Sequence, residues 1–167
     1  GNINTLIAES DQYVLDNQEI EKTVVERTEE QSKLIGSGEK LATLNNLKGK
    51  ISNKVSTLTK EHKFFTDNVS CPTCTQPIEE SFRLNRINDV QTKAKELKKG
   101  YEDLEETIKK EQNRERHFNK LSKEITKLNH DISQNNTRIN LNQKQIRNLE
   151  SEILTLSSQL KNRNTEH

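Results

Sequence analysis

Hydrophobic residues, prolines, glycines and cysteines are scarce in this sequence of 167 residues. Only 28% of the residues are hydrophobic and 4% are aromatic, so the chain cannot fill a thick globular core. It contains neither an apolar run of about 18 residues nor a hydrophobic signal segment, so we expect no membrane span and a cytoplasmic location. Because Met is absent, we also expect the sequence to be part of a longer chain.

Charged residues are abundant, but their signs are balanced. The 27 Lys and Arg residues against 26 Asp and Glu residues leave a net charge of +1, which suits a solvated helix surface better than a basic nucleic-acid footprint. The segment 36–40, Gly-Ser-Gly-Glu-Lys, lacks the Gly-Lys-Ser/Thr order of a phosphate-binding loop. We therefore expect that this stretch of chain is not itself an enzyme.

Apolar residues recur in alternating steps of three and four, which is the a/d pattern of a coiled coil. We call these positions the seam. In the first part of the chain they are Leu6, Tyr13, Ile20, Val24, Leu41, Leu44, Lys48, Ile51, Val55 and Leu58, of which Lys48 is polar. After residue 86 they are Ile87, Val90, Ala94, Leu97, Tyr101, Leu104, Ile108, Phe118, Leu121, Ile125, Leu128, Ile132, Asn135, Ile139, Asn142, Ile146, Leu149, Ile153, Leu156 and Leu160. The pattern predicts an all-α protein.

The two halves of the seam match each other if the chain reverses between them. Facing residue numbers then add to 145, so that Leu58 meets Ile87 and Leu41 meets Leu104. We therefore predict a long antiparallel coiled-coil hairpin with a Cys-x-x-Cys apex turn. Its segments are an N-terminal arm (1–66), an apex (67–78) and a C-terminal arm (79–167).

Two irregularities accompany this pattern. The seam changes frame in the matched intervals 24–44 and 108–121, which predicts a stammer that overwinds both helices and keeps their register. In the predicted register, the seam from Ile146 to Leu160 has no partner within the sequence. We expect this stretch to be available to another molecule.

Both cysteines and both prolines lie within residues 71–77. Pro72 and Pro77 are expected to end one helix and begin the next, with Asn68 as a helix cap, but a turn does not require two cysteines. Cys71 and Cys74 can supply two thiolates to zinc, whereas structural zinc takes four protein ligands. The histidines do not complete the set, because His62 falls in the seam and the others lie far along the arms. Those others are His117, His130 and His167.

A second copy of the apex can supply the two missing ligands, giving one Zn²⁺ shared by two chains. Three other interpretations of the cysteine pair remain open. A redox dithiol would need a βαβ scaffold and a cleft, and a structural disulfide would be unusual in the cytosol. The cysteines of the turn could also be chemically idle.

Cys71-Pro72-Thr73-Cys74 between two heptad arms resembles the zinc hook of SMC-like ATPases that repair DNA double-strand breaks. In architecture, the resemblance covers the whole chain. At the level of a sequence motif, it covers only Cys71, Pro72 and Cys74. The composition, which is rich in Asn, Lys and Ile, suits a phage version of the family. It implies that Cys71 and Cys74 bind zinc. It also implies that the parent chain has an ATPase head that contacts DNA and the nuclease subunit of an exonuclease complex. Many hooks carry Gly after the second Cys, where this sequence has Thr75.

The predicted function is therefore zinc-mediated homodimerisation and tethering in a DNA repair or recombination complex. The alternative is a coiled-coil scaffold or interaction protein with an incidental cysteine turn. A chelator distinguishes the two, because only the first depends on metal.

Overall fold

The computed structural model describes residues 2–165, which form three α-helices. Helix α1 spans Asn2–Ser32, α2 spans Ser37–Asp67 and α3 spans Glu80–Thr165. The predicted all-α class is confirmed for these residues, where the only extended pairing is an isolated antiparallel bridge between Ser70 and Pro77. None of the three helices is both long enough and apolar enough to cross a membrane.

Packing divides the chain into two compact units. In the first unit, α1 packs against α3 from Phe118 onward. In the second unit, α2 packs against α3 up to His117, and the connection between these two helices belongs to the same unit.

The predicted seam is the face that each helix buries. Every predicted seam residue up to Leu149 is buried or half-buried, and Val90, with 1% of its surface exposed, is the most deeply buried apolar residue. In the second unit the buried cluster contains Leu41, Leu104 and Ile108, with Leu44 and Ile51 packed against it. The heptad pattern therefore identified correctly which residues contact the neighbouring helix.

The register of the first unit differs from the predicted one. The amide of Asn135 donates to Asn17 over 2.9 Å, and the amide of Asn142 donates to the hydroxyl of Ser10 over 3.2 Å. The residue numbers of both pairs add to 152 rather than 145. The helices are therefore paired one heptad away from the predicted register.

The second unit shows the same displacement except next to the loop, where the residue numbers of the ion pair Glu61–Arg86 add to 147. Lys40 pairs with Glu111 over 3.3 Å, and the side chains of His62 and Gln91 meet at 3.2 Å, so these pairs add to 151 and 153. A shift of seven residues brings apolar positions opposite apolar positions again, so periodicity alone cannot exclude it. Polar pairs do distinguish the registers, because only one register brings both partners together.

The corrected register shortens the exposed end of the seam. Ile146 and Leu149 were expected to have no partner. Both are instead half-buried, and Leu149 and Leu6 line the same groove. From residue 151 to 165 all side chains are exposed, including Ile153 and Leu156. The unpartnered stripe therefore begins after residue 150.

In the N-terminal arm, a break in the helix lies where the stammer was expected. Helix α1 ends at Ser32, and a four-residue turn precedes α2, with Gly36 at φ 94°. Glycine adopts this left-handed conformation without a Cβ penalty, and Gly36 and Gly38 both disfavour a continuous helix. The arm is thus interrupted rather than overwound, whereas α3 remains helical throughout 108–121.

A carboxylate of α3, that of Glu111, is buried close to the start of α2 in the second unit. Glu111 is 5% exposed, and its Oε1 accepts hydrogen bonds from Lys40 at 3.3 Å and Arg114 at 2.9 Å. The Ser37 hydroxyl is buried beside the Glu111 carboxylate. Burial raises the pKa of Glu111, but Ser37, Lys40 and Arg114 lower it by more, so the carboxylate stays ionised. Because Lys40 lies on α2 and Glu111 on α3, this buried ion pair favours the helix register that brings the two residues together.

Candidate metal centre

The connection between α2 and α3 starts at a polar helix cap. Both the backbone N–H and the side-chain amide of Asn68 donate to the carbonyl of Phe64, at 3.1 Å and 2.8 Å. The backbone of Asn68 is extended, with φ −124° and ψ 121°, so the helix ends here. The predicted role of Asn68 as a cap is confirmed.

A short antiparallel ribbon follows the cap. The N–H of Cys71 donates to the carbonyl of Gln76 at 2.8 Å, and the N–H of Ile78 donates to that of Val69 at 2.9 Å. Pro77 lies opposite Ser70 in the bridge between these hydrogen bonds. The prolines were expected to mark the helix ends, but α2 already ends at Asp67 and α3 begins only at Glu80. Pro72 and Pro77 instead shape the loop, where each fixes its own φ.

A tight turn at the tip of the ribbon wraps the backbone around the sulfur of Cys71. The N–H of Thr75 donates to the carbonyl of Cys71 at 2.9 Å, and the N–H of Cys74 lies 3.5 Å from Cys71 Sγ. Hydrogen bonds from Cys74, with a smaller one from Thr73, lower the pKa of the Cys71 thiol, and they outweigh its partial burial. The turn therefore favours the thiolate, which is the form that binds a metal ion.

The two thiols are free and accessible. Cys71 is half-buried and Cys74 is exposed, with its sulfur 4.0 Å from the side-chain oxygen of Gln76. Within residues 2–165, His, Cys, Asp and Glu side chains do not form any group of three or more that could hold a metal ion. The loop of one chain therefore offers two free thiols, whereas structural zinc takes four protein ligands.

The histidines lie where the seam pattern places them. His62 is half-buried and is engaged by Gln91 of α3, so its ring lies between α2 and α3. His117 and His130 are within α3, well beyond the residues that form the loop. His167 lies outside the described residues. The structure thus places only Cys71 and Cys74, of the candidate ligands considered, together in the loop.

Residues next to the loop join the end of α2 to the start of α3. Arg83 donates to the carbonyl of Phe65 at 2.9 Å, and Arg86 forms an ion pair with Glu61. The ring of Phe65 packs edge-on against Phe82, with centroids 5.9 Å apart. These contacts were not predicted from the sequence, although the aromatic pair before the loop and the two arginines after it were visible signals.

Thr75 adopts a backbone conformation that favours glycine. Its φ is 61°, in the left-handed region, and its hydroxyl donates to the carbonyl of Cys74 at 2.6 Å. A non-glycine residue pays about 1 kcal/mol or more in this region. The position after the second cysteine therefore has a positive φ in this chain.

We expect Thr75→Gly to raise the free energy of unfolding by about 0.5 to 1 kcal/mol, because relief of the strained φ exceeds the added entropy of the unfolded chain. Urea titration followed by circular dichroism measures this change. Thr59→Gly is the matched control, because Thr59 lies inside α2 and the same substitution there should cost about 0.5 kcal/mol. Equal destabilisation by both substitutions would show that Thr75 is not strained.

Comparisons with protein-family models, curated proteins and solved structures find no match to this chain.

Proposed function

We propose that this chain is a zinc-dependent dimerisation module, an antiparallel coiled-coil hairpin with the cysteine loop at its apex. The observation that supports it best is the turn around Cys71, which directs the Cys74 N–H at the Cys71 sulfur and lowers its pKa. Such a turn favours a thiolate at an accessible loop. The order of contacts supports the hairpin, because partner numbers on α3 fall from Glu105 to Arg86 as those on α2 rise from Lys48 to Glu61.

In this proposal Cys71 and Cys74 of one chain and the same pair of a second chain bind one Zn²⁺. Four thiolates complete the tetrahedral set that structural zinc takes, and a two-fold axis through the metal relates the chains. Zinc contributes roughly 10 to 16 kcal/mol in small peptides. Association costs about 4 to 15 kcal/mol, so the dimer should depend on the metal and open when it is removed.

The wider role follows from the zinc-hook resemblance. We propose that the module tethers subunits of an SMC-like ATPase within a nuclease complex for repair or recombination of DNA double-strand breaks. Contacts to DNA and to the nuclease subunit would be made by a head region elsewhere in the parent protein. A coiled-coil scaffold is the second candidate, because Ile153, Leu156 and Leu160 are exposed and could bind a partner helix without metal.

The test combines the molar mass from light scattering with the zinc content from elemental analysis, before and after treatment with a chelator. We expect a dimer with one zinc per two chains, which the chelator converts to a metal-free monomer. A metal-free species whose mass does not respond to zinc or chelator would refute the proposal. If that species were a dimer or larger, the result would favour the scaffold.

A further inference from the structure

The loop that carries the cysteines also carries an uncharged and partly apolar surface. Residues 68–78 contain no charged side chain, although 32% of the whole sequence is charged. Val69, two residues before Cys71, has 67% of its surface exposed, and Phe82, in the first turn of α3, has 52%. Exposed apolar side chains next to an accessible ligand pair are typical of an interaction surface.

We propose that Val69 forms a second, metal-independent part of the homodimer interface and packs against the same loop of a second copy of this chain. This inference rests on the proposed function, because the shared zinc ion brings the two loops together. It goes further in assigning part of the binding energy to apolar contact.

Val69 belongs to the same short ribbon as Cys71. The carbonyl of Val69 accepts the N–H of Ile78 at 2.9 Å, and the N–H of Cys71 donates to the carbonyl of Gln76 at 2.8 Å, with Ser70 opposite Pro77 between these hydrogen bonds. Two residues of chain span at most about 7 Å, so Val69 lies close to any metal ion that Cys71 binds.

The geometry of a zinc site then determines which part of the second chain would lie near Val69. Zinc–sulfur bonds are about 2.3 Å long, so sulfurs of two chains around one ion lie roughly 4 Å apart. At that separation we expect the loop of the second chain to lie within reach of Val69. The occupant is a second copy, because the metal site is incomplete without one.

The absence of charge makes this self-contact favourable. Two identical surfaces related by a two-fold axis bring each residue near its own counterpart, so a single charged residue near the axis would repel itself. The nearest charged residues, Asp67 and Glu79, lie outside the stretch 68–78. Asn68, Ser70, Thr73 and Gln76 can meet their counterparts without that penalty.

Val69→Thr tests the inference with little change of shape, and Val69→Glu tests it by adding a self-repelling charge. We expect the dimer dissociation constant in saturating zinc, measured by sedimentation, to rise about 10-fold for the first variant and 100-fold or more for the second. At concentrations where dimers form, the zinc content should stay at one per two chains. Val25→Thr is the matched control, since Val25 on α1 is similarly exposed, at 65%, and should leave the constant unchanged.

The outcomes separate this inference from the proposal beneath it. If wild type forms a zinc-dependent dimer and both Val69 variants keep its dissociation constant, the metal alone joins the chains and the inference is wrong. If wild type neither binds zinc nor forms a dimer, the proposed function fails and the inference fails with it. Because Val69 is exposed outside the helices, both variants should keep the wild-type helicity, which circular dichroism verifies.

Discussion

The double substitution Cys71→Ser/Cys74→Ser should convert the proposed zinc-bound dimer into a metal-free monomer without loss of helix. A serine hydroxyl is not deprotonated near neutral pH and is a poor zinc ligand, so each dimer loses all four of its sulfur ligands. We expect the dimer dissociation constant to rise at least about 1,000-fold. Sedimentation with zinc analysis measures this, and circular dichroism monitors the helices.

The control is Thr73→Ser, which alters the same turn and leaves both sulfurs in place. This variant should keep the wild-type mass and one zinc per two chains. Each single cysteine variant should bind zinc much more weakly, because it leaves only two thiolates in the dimer. A double variant that still forms a dimer sensitive to chelators would mean that other residues bind the metal.

Val90→Asp should destabilise the packing of α2 against α3 by about 3 to 5 kcal/mol. Val90 is 1% exposed, so the new carboxylate would lose its hydration, and the packing of the valine would also be lost. Urea titration followed by circular dichroism measures the change. Dimer formation through the loop should weaken as well, because Val90 belongs to the unit that contains the cysteines.

Val25→Asp is the control for the buried site, because it makes the same substitution on a helix where the valine is 65% exposed. Both substitutions carry the same difference in helix propensity, so subtraction isolates the effect of burial. We expect Val25→Asp to change stability by no more than about 0.5 kcal/mol. Similar losses from both variants would show that Val90 is not a core residue in solution.

Local patterns determined which residues of this protein are buried. A three-four spacing of apolar residues can be satisfied only by a helix with one buried face, and the prediction for Val90, Leu104 and Leu121 was correct. The register was wrong by one heptad because the apolar spacing repeats after seven residues. The pairings of Asn17 with Asn135 and of Lys40 with Glu111 contained the missing information. A polar pair of this kind can be recognised only after the two helices have been aligned in space.

The residues of the candidate metal centre could be predicted from the sequence, but their backbone conformation could not. Cys71 and Cys74 could be selected because two cysteines and two prolines interrupt a helical pattern. The ribbon at Ser70 and Pro77 could not be foreseen, since a single bridge leaves no periodic signal. The positive φ of Thr75 could not be foreseen from the residue type, because threonine rarely adopts it, and the surrounding hydrogen bonds hold the turn.

The polar pairings of α2 with α3 also restrict how the length of this protein can change during evolution. Deleting seven residues from one helix alone, between Lys48 and Glu61, would separate Lys40 from Glu111 or Glu61 from Arg86. Removing one heptad from each helix at the same level would preserve both pairs and the apolar layers. Viable insertions and deletions in this unit should therefore arise as compensated pairs, one in each helix.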